Sequence, residues 1–69
     1  MSLDELRELM TLKSWNEAIV AGNLHLSEGA VLKWFQRGKV PDGPATVLLI
    51  GWLRDARTAK ERREKKMMA

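Results

Sequence analysis

The stretch from Ala21 to Trp34, AGNLHLSEGAVLKW, decides how this chain folds. It holds the end of one helix, a short connection centred on His25, and a second helix that the Ser27 hydroxyl can cap. Ala21 is small enough for the second helix to cross the first closely. Four apolar residues are expected to form the core between the two helices: Leu24, Leu26, Val31 and Trp34.

The same stretch resembles the lambda-repressor-like (Cro-type) helix-turn-helix family, whose pattern is A-x-x-L-G-[VL]-S-x-x-x-V-x-x-W. This chain aligns with that pattern without a gap and departs from it at one position. That position is His25, where the family usually has a glycine in a left-handed turn conformation. Histidine is among the non-glycine residues enriched at positive φ, so we expect the turn to survive and His25 to be structural. The segment WFQRGKVP, residues 34–41, also resembles the family's W-x-x-G-K ending, with one additional residue before Gly38.

The resemblance implies that helix 28–37 is a recognition helix, which enters the major groove of double-stranded DNA. The residues implied to read bases are Glu28, Gly29, Leu32 and Lys33. Glu28 can accept a hydrogen bond from cytosine, Lys33 can donate to guanine and Leu32 can meet a thymine methyl group. The residues expected to contact the DNA backbone are Lys13, Ser14, Ser27, Gln36, Arg37 and Lys39.

Helix signals extend on the N-terminal side of this stretch. Residues 2–5, Ser-Leu-Asp-Glu, form a capping-box pattern that predicts a first helix over residues 3–11. Residues 14–17, Ser-Trp-Asn-Glu, repeat the pattern and predict that a second helix opens at Ser14. The residues expected to face inward on the second helix are Trp15, Ala18, Ile19 and Ala21.

On the C-terminal side, Gly38 is placed to end the third helix, and residues 41–44, Pro-Asp-Gly-Pro, break the chain before a fourth. The fourth helix is apolar nearly all round, and its expected core face is Leu49, Trp52, Leu53 and Ala56. A second copy of the chain is expected to cover the remaining apolar residues, which makes the protein a homodimer through Val47, Leu48 and Ile50. The β-branched residues within Thr46–Ile50 leave a strand as the alternative.

Charge divides the chain unevenly, although its net charge is only +3. Residues 54–66 contain seven basic and three acidic side chains, whereas residues 1–53 contain five basic and six acidic ones. We therefore expect a DNA-binding domain over residues 1–54 and a basic helical tail over residues 55–69. The tail is expected to add attraction to phosphates that does not depend on DNA sequence.

Length and composition exclude several other classes of protein. A chain of 69 residues has room for one small domain, and it has no Cys and a single His, so we expect no disulfide, metal site or cofactor. No pair of residues suits a nucleophile and its base, so we expect no enzyme and no small-molecule ligand. Its longest uncharged apolar run is too short to span a membrane, and the N-terminus is acidic, which favours a soluble cytoplasmic protein.

The sequence therefore predicts an all-α fold: a compact helix-turn-helix domain of four to five helices with a basic C-terminal helical tail. The expected function is a sequence-specific transcriptional regulator, typical of small phage or mobile-element repressors. One alternative is an excisionase-like architectural DNA binder, because residues 11–16 and 31–41 resemble small phage excisionases; these carry a β-wing, which residues 46–50 would supply. Another is a protein-interaction module without a DNA role, which docks its partner through the fourth helix.

Overall fold

Four helices make up the fold in the computed structural model, which describes residues 1–68 and, for side chains, residues 1–64. They are α1 (Leu3–Lys13), α2 (Glu17–Leu24), α3 (Glu28–Arg37) and α4 (Pro44–Met68). No strand occurs within residues 1–68, so the predicted all-α class is confirmed. None of these helices combines the length and apolar composition that crossing a membrane requires.

The first helix begins where its capping box predicted. The Ser2 hydroxyl accepts the Glu5 N–H at 3.2 Å, and the Glu5 carboxylate accepts the Ser2 N–H at 3.1 Å. Hydrogen bonds from the Ser2 backbone and hydroxyl lower the pKa of Glu5 because they favour its charged form. The helix runs to Lys13, two residues beyond the predicted end.

The predicted start of the second helix at Ser14 is wrong. Ser14 instead ends α1 in the left-handed conformation, with φ of 56°, and its N–H bonds to the carbonyls of Met10 and Thr11. The cap of α2 is Asn16, whose side-chain oxygen accepts the Ile19 N–H at 2.9 Å. Both Ser14 and Asn16 are good caps, and the longer first helix leaves only the later one free.

The inward face predicted for α2 is also partly wrong. Ala18 and Ile19 are exposed, whereas Val20 and Ala21 are buried. Most residues of this short helix are apolar, so the sequence has no clear period from which its buried face can be read. Leu26, predicted in the core, is 40% exposed in the connection that follows.

The fourth helix is continuous through the segment for which a strand was the alternative. Pro44 is its first residue, and residues 46–50 are all helical, so the strand is wrong and the β-wing of an excisionase is absent from the described chain. Buried Thr46 donates its hydroxyl hydrogen bond to the Pro41 carbonyl, which joins the helix to the preceding loop. The helix also crosses the expected boundary between residues 54 and 55 without a break, and Ala56 is buried.

Two packed pairs of helices form the body, α1 with α4 and α2 with α3. Their shared core consists of Leu6, Leu9, Val20, Ala21, Val31, Trp34, Val40, Leu49, Leu53 and Ala56. Trp15 and Trp52 meet edge to face with ring centroids 5.7 Å apart, and this contact ties the α1–α2 connection to α4. The 25 residues of α4 span about 37 Å at the helical rise, so this helix sets the 43 Å long axis of the molecule.

Candidate nucleic-acid interface

One face of α3 is exposed along the whole helix. Val31 and Trp34 are buried and hold the helix against the body, while Ala30 and Phe35 are half-buried beside them. The residues of α3 that are predicted to read bases or touch phosphates are all exposed and lie away from this packed face: Glu28, Gly29, Leu32, Lys33, Gln36 and Arg37. The helix therefore presents one continuous surface that carries both charge and hydrogen-bonding groups.

The connection between α2 and α3 holds α3 by backbone hydrogen bonds. His25 ends α2 in the left-handed conformation, with φ of 58° and ψ of 37°, as predicted from its place in the turn. The next amide, of Leu26, donates to the Ala21 carbonyl at 2.9 Å, and the Ser27 hydroxyl accepts the Ala30 N–H at 3.2 Å. Each of the three connecting residues is therefore fixed, and α3 leaves the turn in a defined direction.

Substitutions at His25 test this role. His25→Val is expected to lower the free energy of unfolding by about 1–3 kcal/mol, because a β-branched side chain is strained in the left-handed region. His25→Asn is the matched control and is expected to leave stability near that of the wild type, since Asn tolerates this conformation. Urea unfolding followed by circular dichroism measures both. Equal stability of the two variants would contradict the structural role.

The cations at the C-terminal end of α3 are free to bind an anion. Lys33, Arg37 and Lys39 are exposed and form no salt bridge within the described side chains. Gly38 follows Arg37 in the left-handed conformation, with φ of 81°, and ends the helix as predicted. Glu28 is the one acidic residue of α3 and lies in the first turn, where the helix dipole favours a carboxylate.

Lys13 and Ser14, the other predicted phosphate contacts, lie on a separate part of the surface. Both are exposed at the end of α1, and the Lys13 ammonium lies 6.0 Å from the centre of the Trp15 ring. No hydrogen bond or salt bridge within residues 1–64 joins them to α3.

An open groove of about 500 Å³ nevertheless connects this region with the C-terminal part of α3. Trp15 and Glu17 line it at the start of α2, and Phe35 lines it from α3. Arg7 of α1 lies over the Phe35 ring, 5.6 Å from its centre, and so closes one side of the groove. The start of α2 therefore borders the end of α3 from which Gln36 and Arg37 project.

Two cations of the basic tail lie beside Lys13, a position that the sequence did not predict. Lys60 and Arg63 of α4 line the same cavity as Lys13, at the other end of α1 from its capping box. The signal was present in the spacing of α4: the buried residues Leu49, Leu53 and Ala56 continue, at the same helical intervals, into Lys60 and Arg63.

Arg57 is paired with a carboxylate of α1 and so links α4 to α1. Its guanidinium forms a bidentate ion pair with the Glu8 carboxylate of α1, at 2.6 Å and 2.9 Å. This partner lowers the pKa of Glu8, and Glu8 in turn raises the pKa of Arg57. The pair fixes the start of the basic segment to α1.

An apolar surface remains on α4 on the side away from the core. The residues predicted to meet a second copy are all exposed: Val47 at 71%, Leu48 at 48% and Ile50 at 40%. Gly51, beside them, is exposed as well and has open space where a side chain would lie. These side chains leave an apolar surface on α4 that no other described part of the chain covers.

Comparison with known protein families, with curated proteins and with solved structures finds no match in any of the three. Within the described residues, no group of three His, Asp or Glu side chains is arranged to hold a metal ion. The exposed surface on and around α3 carries cations, amide and hydroxyl groups, one carboxylate at Glu28 and one apolar side chain at Leu32.

Proposed function

We propose that this protein is a sequence-specific DNA-binding regulator that inserts α3 into the major groove of double-stranded DNA. The observation that carries the proposal is the exposed face of α3, held by the left-handed turn at His25 and free of salt bridges within residues 1–64. The major groove, about 12 Å wide, admits one α-helix, and the 10 residues of α3 extend about 15 Å along it.

Three side chains of α3 are suited to reading base edges. Glu28 in the first turn can accept a hydrogen bond from the amino group of cytosine, and Lys33, further along the same face, can donate to O6 or N7 of guanine. Leu32 is 42% exposed between them and can contact a thymine methyl group. Gly29 has no side chain, so the backbone of α3 can approach the bases closely.

Polar groups at both ends of α3 are suited to contacting phosphates. Gln36, Arg37 and Lys39 extend the exposed face at one end, and the Ser27 hydroxyl, although it caps α3, keeps a proton to donate at the other. Lys13 and Ser14, which are exposed at the end of α1, provide further contacts from outside α3. These groups position α3 on the duplex and leave the choice of sequence to its outward face.

The proposed assembly is a homodimer, which pairs the α4 surfaces of two copies. Val47, Leu48 and Ile50 supply the apolar contact, and Gly51 lets two α4 helices cross closely. A two-fold dimer presents two copies of α3 to half-sites about 34 Å apart, one turn of the duplex. The role we propose for such a dimer is that of a small transcriptional regulator of the phage or mobile-element repressor type.

Selection of bound oligonucleotides from a random pool tests this function. We expect a palindromic sequence with half-sites one helical turn apart. Lys33→Ala is expected to cost about 1–3 kcal/mol on the selected sequence and to relax the preference at one base pair of each half-site. Lys39→Ala, the matched lysine beyond the helix end, is expected to weaken binding to all sequences alike. A pool that yields no preferred sequence would contradict the proposal.

A protein-interaction module remains a second candidate, because the exposed apolar surface of α4 can also receive another protein. In that case, retention on mixed-sequence DNA at low salt is expected to be absent. Chromatography of the wild-type protein on immobilised mixed-sequence DNA therefore distinguishes the two functions before any variant is made.

A further inference from the structure

A cavity of about 250 Å³ lies where the end of α1 meets α4. Three of the residues that line it are cations, namely Lys13, Lys60 and Arg63, and the others include Thr11 and Ala59. No acidic residue is among those that line it. The cations are separated by up to 50 positions in sequence, so it is the fold that brings them together.

The packing of α1 on α4 explains why cations gather at this point. The stripe of α4 that faces α1 is apolar at Leu49, Leu53 and Ala56, which are buried. α1 ends at Lys13, and the same stripe continues past that end as Lys60 and Arg63. The negative end of the α1 dipole lies here, and it offsets part of the repulsion among the cations.

The three cations of the cavity are largely unpaired within residues 1–64, whereas the neighbouring Arg57 is paired with a carboxylate. Arg57 is held by Glu8 at 2.6 Å, whereas Lys13 and Arg63 form no salt bridge within the described side chains. Among the side chains that the structure describes, Lys60 forms one salt bridge, with Glu64 at 4.0 Å, and both side chains are well exposed. Exposed pairs of this kind contribute little, so the Lys60 ammonium remains available to another anion.

We propose that Lys13, Lys60 and Arg63 together bind one phosphate group of the DNA backbone, with the Thr11 hydroxyl as a further donor. This inference deepens the function proposed above and rests on duplex DNA being the partner. Thr11 lines both this cavity and the groove that reaches Phe35 of α3, so the two sites adjoin. A duplex held on α3 can thus extend its backbone over the end of α1 and onto the α4 cations.

The test compares Arg63→Gln with Arg62→Gln, which removes the same charge from the adjacent position of α4, outside the cavity. Affinity for a mixed-sequence duplex is measured between about 50 and 200 mM salt, a range over which phosphate contacts dominate. Arg63→Gln is expected to reduce the slope of log affinity against log salt by about 0.9, the value for one phosphate contact. Arg62→Gln is expected to change it by less than half as much.

Lys13→Gln tests whether the two helices share one phosphate. Alone, it is expected to reduce the slope about as much as Arg63→Gln does, and the double variant is expected to lose little more than either single one. Equal slopes for Arg62→Gln and Arg63→Gln, or fully additive losses in the double variant, would overturn the proposal in favour of diffuse attraction to the tail. Thermal unfolding of each variant checks that the fold is retained.

The same measurements separate this inference from the proposed function. If the random pool yields no preferred sequence while Arg63→Gln still lowers the salt slope, the phosphate site stands and sequence-specific regulation fails. If the pool yields a palindrome while Arg62→Gln and Arg63→Gln behave alike, regulation stands and the phosphate site fails.

Discussion

Leu49→Ala is expected to lower the free energy of unfolding by about 2–5 kcal/mol, the largest loss of stability we predict for one substitution. Leu49 is 0% exposed on α4, where it belongs to the shared core of the four helices. A domain of this length has a total stability of roughly 3–10 kcal/mol, so the loss removes a large fraction of that stability. Urea unfolding followed by far-ultraviolet circular dichroism measures the change.

Val47→Ala is the matched control, two positions earlier on the same helix. Val47 is 71% exposed, so its truncation is expected to change the stability of the monomer by no more than about 0.5 kcal/mol. Both proteins are compared at a concentration low enough to keep them monomeric. If the two variants lost stability equally, the assignment of Leu49 to the core and Val47 to the surface would be wrong.

Local signals in the sequence predicted most of the helix boundaries. The capping box at residues 2–5, the cap at Ser27 and the left-handed positions His25 and Gly38 all depend on residues within four positions of one another. Such hydrogen bonds form from neighbouring residues whatever the rest of the fold does. For this reason the left-handed turn at His25 and the cap at Ser27 were predicted correctly, although Leu24, predicted in the connection, is the last residue of α2.

The start of α2 and part of its buried face were predicted wrongly because neighbouring residues suit each of these roles about equally well. Ser14 and Asn16 can both cap α2, and the length of α1 decides between them. Ile19 is at least as apolar as Val20, so which of the two is buried depends on the angle at which α2 packs on the body. Contacts distant in sequence make both choices, and a hydrophobic period read along one short helix does not contain them.

At residues 46–50, too, packing with distant parts of the chain decides the structure, here against the local preference. The β-branched residues of this segment favour a strand locally, but a strand needs a neighbour to pair with, and the described chain has none. As a helix, the segment buries Thr46 and Leu49 against the body. Tertiary packing therefore overrides the local preference.

The cationic cluster at Lys13, Lys60 and Arg63 was only half predictable. The spacing of α4 carries the core stripe on into Lys60 and Arg63, so these two can be placed on one face from sequence alone. That α1 lies along this stripe, and ends just before the cations, follows from packing between segments more than 40 residues apart. Of the candidate site, the α3 face was accessible to sequence reasoning and the α1–α4 cavity was not.

Val47→Glu is expected to abolish the proposed dimer and to lower affinity for a palindromic site by about 10²-fold or more, the largest functional loss we predict. The side chain is 71% exposed, more than Leu48 and Ile50 beside it, so a carboxylate there leaves the monomer folded. In the dimer, the two-fold axis would bury both copies of the new charge without a partner, which is strongly unfavourable. Without the dimer, binding of one copy to its half-site no longer raises the local concentration of a second copy at the other half-site.

Sedimentation velocity and DNA binding on whole and half palindromes measure the two consequences together. Val47→Glu is expected to sediment as a monomer and to bind a single half-site as well as the wild type does. Ala18→Glu, which adds the same charge to an exposed position of α2 outside the α4 surface, is expected to sediment as a dimer. The dimer proposed on α4 fails if the wild type sediments as a monomer at concentrations that saturate the palindrome, because avidity then cannot come from paired copies in solution. It fails equally if Val47→Glu still pairs, because an interface centred on this face of α4 cannot accommodate two buried carboxylates without a compensating charge.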